Sequence, residues 1–293
     1  MANKLRYTEK FFSVQGEGRY SGVPSIFLRM FGCNFRCKNF NRQGKDYLSA
    51  DTKYNPEVKE IINNLKQYKT LDDLPLVKTG CDSYAAVYPD FKNFAHKQSV
   101  DDLMTEMVEL LPNKKWGDCH LVITGGEPLL GWQRAYIDLL SHPKATGLKE
   151  LTFETNGTQY LTNEFSDYLI FDWLSFNGRD RNSLTFSVSP KLSCSGESRE
   201  NAINPEVILD YQSIGFTYLK FVVGTETDVN EALEVIDIYR KAGFRGPVYL
   251  MPTGGTIETY NLTKGNISAL ALKHGLRFSD RLHISLFGNK WGT

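Results

Sequence analysis

The stretch "PSIFLRMFGCNFRCKNF" at residues 24–40 joins an apolar, β-rich run to a glycine-containing segment with two cysteines, Cys33 and Cys37. A short apolar run of this kind, bounded by turn residues, is typical of a strand buried on both faces of a parallel sheet. A thiol-bearing loop directly after such a strand indicates a site at the carboxyl ends of the strands. Phe40 stands where a third closely spaced cysteine would fall.

Composition limits the classes of function. The chain has 293 residues, of which 41% are hydrophobic, enough for a substantial core. Lys and Arg together number 34, as do Asp and Glu, so no net field favours nucleic acid or an anionic membrane. We therefore expect a small-molecule ligand, with no direct nucleic-acid partner and no membrane partner. The polar first ten residues lack the apolar run of a signal peptide, which predicts a cytoplasmic protein.

Apolar runs alternate with helical patterns along the rest of the chain, which favours repeated β/α units. The predicted strands are 24–31, 120–124, 150–154, 184–188, 217–223, 247–251 and 282–287. The predicted helices are 100–111, 133–141, 204–213, 228–242 and 257–274. We predict an α/β fold, a partial (β/α)6-type barrel of mostly parallel strands in a single domain over 1–293.

The unusual residues follow the predicted strands. The segments are GCNFRC (32–37), TGGEP (124–128), ETNG (154–157), SPK (189–191) and MPTGG (251–255). Because the carboxyl ends of parallel strands meet at one edge, we expect these loops to form one site. Residues 38–80 interrupt the pattern with a polar insertion that has a helical stretch near 55–68. It is too long for a simple loop, so we expect an ordered insertion that shields the site.

The five cysteines form an odd, uneven set, so a disulfide framework is disfavoured and each thiol is either a buried hydrophobe or a metal ligand. Three thiolates around a cubane iron–sulfur cluster would leave one iron open for chemistry. Cys81, in TGCDSY directly after the insertion, is the preferred third ligand. Cys119 begins a predicted strand, where burial is the better interpretation, and Cys194 follows the SPK loop.

These motifs resemble the radical S-adenosylmethionine (SAM) superfamily and, more closely, the 7-carboxy-7-deazaguanine synthase (QueE) family. The similar segments are FFSVQGEG (11–18), FLRMFGCNFRC (27–37), CDS (81–83), TGGEP, ETNG, SPK, LKFVV (219–223), YLMP (249–252) and RLHI (281–284). Two departures stand out. Most members carry the third cysteine at the position of Phe40, and most have Asp-Thr where this chain has Asp82-Ser83.

The resemblance implies a lyase of 7-deazapurine (queuosine-type) biosynthesis that converts 6-carboxy-5,6,7,8-tetrahydropterin to 7-carboxy-7-deazaguanine with loss of ammonia. It implies a [4Fe–4S] cluster on Cys33, Cys37 and Cys81, SAM cleaved to a 5′-deoxyadenosyl radical and then regenerated, and Mg²⁺ on the Ser83 hydroxyl. It also implies a homodimer and a flavodoxin- or ferredoxin-type electron donor.

The residue types suit the SAM-binding roles that the resemblance implies. Gly125 and Gly126 allow close backbone approach, and Glu127 suits the methionyl ammonium of SAM, although a tight strand-to-helix turn would use the same residues. The remaining polar groups expected around SAM, each of which could instead only cap its loop, are Asn156, Ser189 and Lys191.

Four further positions match the family's substrate-binding residues. Gln15 and Glu17 would meet the paired donors of a pterin edge, and Arg29 would meet the substrate carboxylate as a guanidinium fork. His283 matches a histidine that contacts substrate. The plainer interpretations are a surface turn for QGEG, a solvated edge-strand residue for Arg29 and a core imidazole for His283.

Three other functions stay open at this point. A glycyl-radical activase would share the cysteine triad and the GGEP-like loop but would not need the QGEG and RLHI segments. A non-catalytic iron–sulfur or zinc module that binds nucleic acid is disfavoured by the balanced charge. A degenerate paralogue that no longer binds a cluster would also fit the split triad. The sequence does not separate tRNA from DNA as the destination of the product.

Overall fold

The computed structural model describes residues 4–42 and 53–293, and within them nine strands form one sheet in the order β3-β1-β2-β4-β5-β6-β7-β8-β9. The strands are β1 (Lys4–Val14), β2 (Pro24–Met30), β3 (His96–Ser99), β4 (His120–Gly125), β5 (Leu151–Thr155), β6 (Leu184–Val188), β7 (Phe216–Val223), β8 (Val248–Pro252) and β9 (Arg277–Phe278). Every pairing from β2 to β9 is parallel, whereas β1 is antiparallel to both β2 and β3. The predicted α/β fold with mostly parallel strands is confirmed, and the sheet is open.

The α-helices of the described residues lie mainly between the parallel strands. They are α1 (Pro56–Asn63), α2 (Tyr84–Val87), α3 (Val100–Leu110), α4 (Gln133–Leu140), α5 (Asn163–Asp167), α6 (Arg199–Ala202), α7 (Pro205–Ile214), α8 (Glu226–Ala242), α9 (Ile257–Lys273) and α10 (Leu282–Phe287). The five predicted helices correspond to α3, α4, α7, α8 and α9, with ends within two residues of the prediction.

Local capping explains where the long helices begin and end. The Ser99 hydroxyl accepts the amide of Asp102 at the start of α3. Thr225 and Asp228 form a reciprocal capping box at the start of α8, which ends where Gly243 adopts a left-handed conformation. Such caps satisfy amides and carbonyls that have no partner within the helix.

Two sequence predictions need correction. Residues 282–287, predicted as a strand, form helix α10, because a short segment with four apolar residues among six does not by itself distinguish a strand from a short helix. Strand 24–31, predicted as the first, is the second, since β1 precedes it and pairs with it as an antiparallel hairpin. Four charged residues within β1 hide its apolar alternation.

The main core fills the space between the sheet and its helices. Phe153 and Phe186 stack at a ring-centroid distance of 5.9 Å, and Phe186 stacks on Tyr211 of α7 at 4.6 Å. A separate apolar cluster includes Val58 and Ile61 of the insertion. Residues 43–52, which belong to the predicted 38–80 insertion, lie outside the described residues. Along the described ranges, no helix has the length and apolar character needed to cross a membrane.

Candidate active site

The carboxyl ends of the central strands open into a cavity of about 230 Å³. Thirteen of the fourteen residues predicted for the site line it, and their individual roles stay predictions. They are Gln15, Glu17, Arg29, Cys33, Cys37, Cys81, Ser83, Gly125, Gly126, Asn156, Ser189, Lys191 and His283. The fourteenth, Glu127, is fully buried and is not on the cavity wall.

The three predicted cluster cysteines share one apolar environment. Cys37 is buried, and Cys33 and Cys81 pack against the same small cluster as Cys37. Burial raises the pKa of Cys33 to about 11 and that of Cys81 to about 12, and it raises the pKa of Cys37 well above its usual value. These thiols are therefore protonated at neutral pH until a metal displaces the protons.

A cubane iron–sulfur cluster fits this arrangement. Thiolates are the usual ligands of such clusters, and three thiols line one cavity here. Among the described residues, no three His, Cys, Asp or Glu side chains are close enough to hold a single metal ion. Neither Cys119 nor Cys194 reaches the cavity.

The loop that carries Cys33 and Cys37 is fixed from two sides. The Glu197 carboxylate accepts the amides of Arg36 (2.8 Å) and Cys37 (2.7 Å) through one oxygen. On the other side, the amide of Glu127 donates to the Gly32 carbonyl at 2.8 Å. A Cβ on Gly126 would lie 2.1 Å from that carbonyl oxygen, so glycine is required for this approach.

The Glu127 side chain braces the loop after β5. Its oxygens accept the Thr155 hydroxyl (2.7 Å) and the amides of Asn156 (2.7 Å) and Leu129 (3.1 Å). Burial raises the pKa of the Glu127 carboxyl despite these donors. These bonds join the Glu127 carboxylate to neighbouring loops, and its contact with the SAM ammonium stays a prediction.

The other residues predicted around SAM form short polar links. The Asn156 amide nitrogen donates to the side-chain oxygen of Asn34 at 2.8 Å, which joins the β5 loop to the cysteine loop. Lys191 donates to the Ser189 hydroxyl at 3.0 Å. These side chains present oxygen and nitrogen atoms to the cavity beside the thiols.

A buried ionic network surrounds Glu17. Its carboxylate pairs with Lys220 through one oxygen and with Arg281, at 3.0 Å, through the other. Burial alone would raise the pKa of Glu17, but the positive charges of Lys220 and Arg281 outweigh it and hold the pKa well below its usual range. Arg281 also binds Asp82 at 2.6 Å, so one guanidinium joins the QGEG turn to the CDS segment. Glu17 is therefore a carboxylate at every physiological pH.

Arg29 is engaged in the structure and is not a solvated edge residue. It lies on β2 between β1 and β4, and its Nε donates to Glu9 Oε1 at 2.6 Å. Its Nη1 donates to the Ser83 hydroxyl oxygen at 2.8 Å. The Ser83 hydroxyl oxygen, which is predicted to bind Mg²⁺, therefore accepts a hydrogen bond from the Arg29 guanidinium in this structure.

His283 lies on α10, at the wall of the cavity. The pKa of the imidazole is lowered to about 4, chiefly by burial. The positive charge of Arg281 also lowers this pKa, and its effect is larger than the opposite effect of Glu17. The ring is therefore neutral at physiological pH and offers one donor and one acceptor.

Sequence reasoning missed several residues of the cavity wall. The Glu154 carboxylate accepts hydrogen bonds from the Gln15 side-chain amide (3.1 Å) and the Thr124 hydroxyl (2.7 Å), and it lies near the end of β5 within the ETNG segment. Lys220 and Arg281 also lie inside segments that resemble the family. A lysine within the apolar run TYLKFVV is unusual, and this could have identified Lys220 as a site residue. Glu197 carried no signal, because only the fold brings it to the cysteine loop.

Known proteins are similar in sequence to nearly the whole of this chain. A 7-carboxy-7-deazaguanine synthase of Rhodopirellula baltica is 27% identical over 292 residues, which cover 99% of this chain and 90% of that protein. One of Halobacterium salinarum is 28% identical, covering 97% of this chain and 91% of its own. A scan of protein-family models finds no match.

Among solved structures, QueE from Escherichia coli has the same fold, with a TM-score of 0.52 and 20% identity over 96% of this chain and 95% of that one. The resemblance that the sequence motifs predict is thus confirmed along nearly the full length. This chain is similar to the 7-carboxy-7-deazaguanine synthases along nearly its whole length.

Proposed function

We propose that this protein is a carbon–nitrogen lyase of the radical SAM type that converts 6-carboxy-5,6,7,8-tetrahydropterin to 7-carboxy-7-deazaguanine with loss of ammonia. The observation that carries the proposal is that three thiols and the QGEG carboxylate line the same cavity, in a chain similar to named synthases over 99% of its length. Its product would enter 7-deazapurine biosynthesis of the queuosine type.

Cys33, Cys37 and Cys81 would hold a [4Fe–4S] cluster, which when bound supplies the electron for reductive cleavage of SAM. The chain contributes three thiols that share one small apolar cluster, and the Glu197 and Glu127 contacts that fix the loop of Cys33 and Cys37. Burial of these thiols raises their pKa values.

SAM would lie between the thiols and the loops after β4, β5 and β6. Gly125 and Gly126 give backbone access, while the other polar partners are Asn156, Ser189 and Lys191. Lys191 and Ser189 already form one donor–acceptor pair that suits a carboxylate or a ribose hydroxyl. A direct contact from Glu127 to the SAM ammonium would use Oε2, which accepts one amide from Asn156 and can accept another donor, and it requires that this fully buried side chain become accessible from the cavity.

The pterin would bind across Gln15, Glu17, Arg29 and His283. Glu17 remains ionised because Lys220 and Arg281 flank it, so it can accept the paired donors of the pterin edge. The Arg29 guanidinium is available to the substrate carboxylate on the side not bound to Glu9. Neutral His283 can donate or accept at a ring heteroatom.

Mg²⁺ would bind the Ser83 hydroxyl together with substrate oxygens and water. In the described state that hydroxyl accepts a bond from Arg29. Substrate carboxylate would draw the guanidinium away, which would free the Ser83 oxygen and add a negative ligand. Metal binding should therefore depend on substrate.

The remaining features follow from the family resemblance. We propose a cytoplasmic homodimer that receives electrons from a flavodoxin- or ferredoxin-type donor and makes no direct contact with nucleic acid or membrane. The chain would act as a single radical SAM domain over 1–293, in which the 38–80 insertion shields the site.

Anaerobic turnover tests the proposal. Reconstituted, reduced protein is incubated with the carboxytetrahydropterin, SAM and Mg²⁺, and the products are identified by mass spectrometry. We expect 7-carboxy-7-deazaguanine and ammonia in equal amounts. SAM cleavage without these products, or a radical formed on an added glycyl-radical protein, would overturn the assignment in favour of an activase.

A further inference from the structure

The third cysteine poses a positional problem for this chain. Cys81 lies 44 positions after Cys37 (81 − 37), whereas Cys33 and Cys37 are separated by only three residues. The entropic cost of bringing the ends of a connection together grows with its length. Something in the insertion must therefore hold the segment before Cys81 beside the segment after Cys37.

The side chain of Asn55 makes that link. It is completely buried, and its Nδ2 donates to the Lys38 carbonyl at 2.9 Å and to the Thr79 hydroxyl oxygen at 3.0 Å. Its Oδ1 accepts the amides of Glu57 (2.9 Å) and Val58 (3.4 Å) at the start of α1. One amide group thus ties the residue after Cys37, the residue two before Cys81 and the first turn of a helix together.

A second set of contacts closes the same junction. The Glu57 carboxylate accepts the amides of Lys78 (2.8 Å) and Thr79 (2.9 Å), and the Gly80 amide donates to the Phe40 carbonyl at 2.8 Å. Gly80 has φ +80°, and a Cβ there would lie 2.8 Å from Asn55 Nδ2. Only glycine lets the backbone pass this close to the asparagine.

The junction rests on packed side chains. Val58 and Ile61 of α1 are buried with Val77 and Tyr84, which flank Cys81 in sequence. Cys33 and Cys81 themselves pack against this cluster. The apolar face of α1 therefore belongs to the cluster against which two of the three thiols pack, and this packing restricts the segment between residues 77 and 84.

We infer that Asn55 is a positioning residue for the third cluster ligand, and that the insertion holds Cys81 in register with Cys33 and Cys37. The inference rests on the cluster proposed above. It gives the insertion a role at the thiols in addition to shielding. Asn55 acts through the Lys38 and Thr79 backbone segments and contacts no reacting atom.

The variant Asn55→Asp separates this role from helix capping. An aspartate keeps an oxygen for the amides of Glu57 and Val58, and Asp and Asn cap helices about equally well. It lacks the Nδ2 donors and sets a buried carboxylate against the Lys38 carbonyl. Asn64→Asp is the matched control, since it makes the same change at the exposed far end of α1.

Hydrogen exchange of the metal-free full-length protein is the first readout. In Asn55→Asp we expect the amides of Thr79 and Gly80 to exchange at least about tenfold faster, which corresponds to an opening easier by about 1.4 kcal/mol. The amides of the main sheet should be unchanged, and Asn64→Asp should match wild type throughout. Equal exchange in Asn55→Asp and wild type overturns the inference.

Iron and sulfide bound after anaerobic reconstitution is the second readout. We expect Asn55→Asp to retain less than half of the wild-type iron, and a wild-type iron content in this variant overturns the inference. Thr79→Val, which removes one partner of Asn55 at nearly constant size, should show a smaller loss and serves if Asn55→Asp does not fold. Full iron content in Thr79→Val, together with wild-type exchange at Gly80, would also contradict the inference.

The outcomes separate this inference from the proposed function. Wild-type protein that binds iron but forms no 7-carboxy-7-deazaguanine overturns the function and leaves the role of Asn55 standing. Wild-type protein that forms product while Asn55→Asp binds iron equally well overturns the role of Asn55 alone. Wild-type protein that binds no iron overturns both.

Discussion

A single guanidinium joins two carboxylates at the candidate active site. Arg281 Nε binds Glu17 at 3.0 Å and Nη2 binds Asp82 at 2.6 Å. Burial is the largest influence and would raise the pKa of Asp82, but Arg281 and Arg29 together lower it and the net shift is downward. Because Asp82 directly follows Cys81, Arg281 sets the distance between the third thiol and the Glu17 carboxylate, which is proposed to bind the substrate.

Arg281→Lys tests this link, because lysine keeps the charge but is a point donor that cannot bind both carboxylates as a fork. We expect kcat/KM for the pterin to fall about tenfold or more, roughly 1.4 kcal/mol of transition-state stabilisation, while iron content stays at the wild-type level. Arg277→Lys on β9, at an exposed position, is the control and should have little effect. Unchanged kcat and KM in Arg281→Lys would show that the fork is not needed.

Stability should depend on pH through His120, which is buried between Ser25 and Thr152. Burial lowers the pKa of His120 to about 3, whereas an unfolded histidine has a pKa near 6.5. Between these values the unfolded chain binds the proton and the folded chain does not. The free energy of unfolding should therefore fall as the pH falls from about 6.5 towards 3, by up to about 1.4 kcal/mol per unit.

Urea unfolding of wild type and His120→Gln across this range measures the effect. The variant should be less stable at pH 7 but should lose less on acidification, and His96→Gln, at an exposed position, should follow wild type. Parallel pH profiles for wild type and His120→Gln would contradict this account of His120.

At the scale of single residues, the sequence predicts which side chains suit a ligand better than it predicts which other side chains they pair with. Glu17, Arg29 and Lys191 were predicted because their residue types and segments suit a ligand. Lys220 and Glu154 lie in recognised segments yet were not assigned, because a paired charge becomes visible only when two distant strands are brought together. Sequence position alone does not show that Lys220 meets Glu17, 203 positions away.

At the scale of elements, the cysteine loop depends on Glu197, which lies just before α6. Its one oxygen accepts two amides, and hydrogen bonds to a charged acceptor contribute about 1.5–3 kcal/mol each. Cys37 has φ 47°, a conformation that non-glycine residues rarely adopt, so its loop needs such external support.

Glu197→Ala should therefore loosen the loop. We expect the amides of Arg36 and Cys37 to exchange at least about tenfold faster in the metal-free protein, and the reconstituted variant to lose iron faster. Glu197→Gln, which keeps an acceptor oxygen, should show a smaller change, and Glu200→Ala, at an exposed position nearby, should show none. Wild-type exchange at Cys37 in Glu197→Ala would rule out this support.

The elements also show where sequence patterns stop being informative. The long helices were predicted because their caps and apolar spacing agree, as at Ser99 and Gly243. Strand β1 was missed because its charged residues interrupt the apolar alternation, and it is held by pairing with both β2 and β3. Helix α10 was assigned to a strand because a six-residue segment with four apolar side chains satisfies either pattern.

For the whole molecule, the parallel topology accounts for the site. Segments as far apart as residues 33 and 253, which follow β2 and β8, line one cavity because successive parallel strands end at the same edge of the sheet. That gathering was predictable from the order of strands and loops. The contribution of the insertion was not, because its contacts near Asn55 and Gly80 depend on how its two ends meet.

The central claim is that Cys33, Cys37 and Cys81 together hold one cluster. Its most direct test is the iron and sulfide content, with the low-temperature electron paramagnetic resonance spectrum, of anaerobically reconstituted wild type, Cys81→Ala, Cys119→Ala and Cys194→Ala. We predict about four iron atoms per chain and a reduced [4Fe–4S] signal that changes on addition of SAM in wild type, Cys119→Ala and Cys194→Ala, and loss of both in Cys81→Ala. A wild-type chain without the cluster, or a Cys81→Ala chain that keeps the full cluster and its response to SAM, would contradict the account.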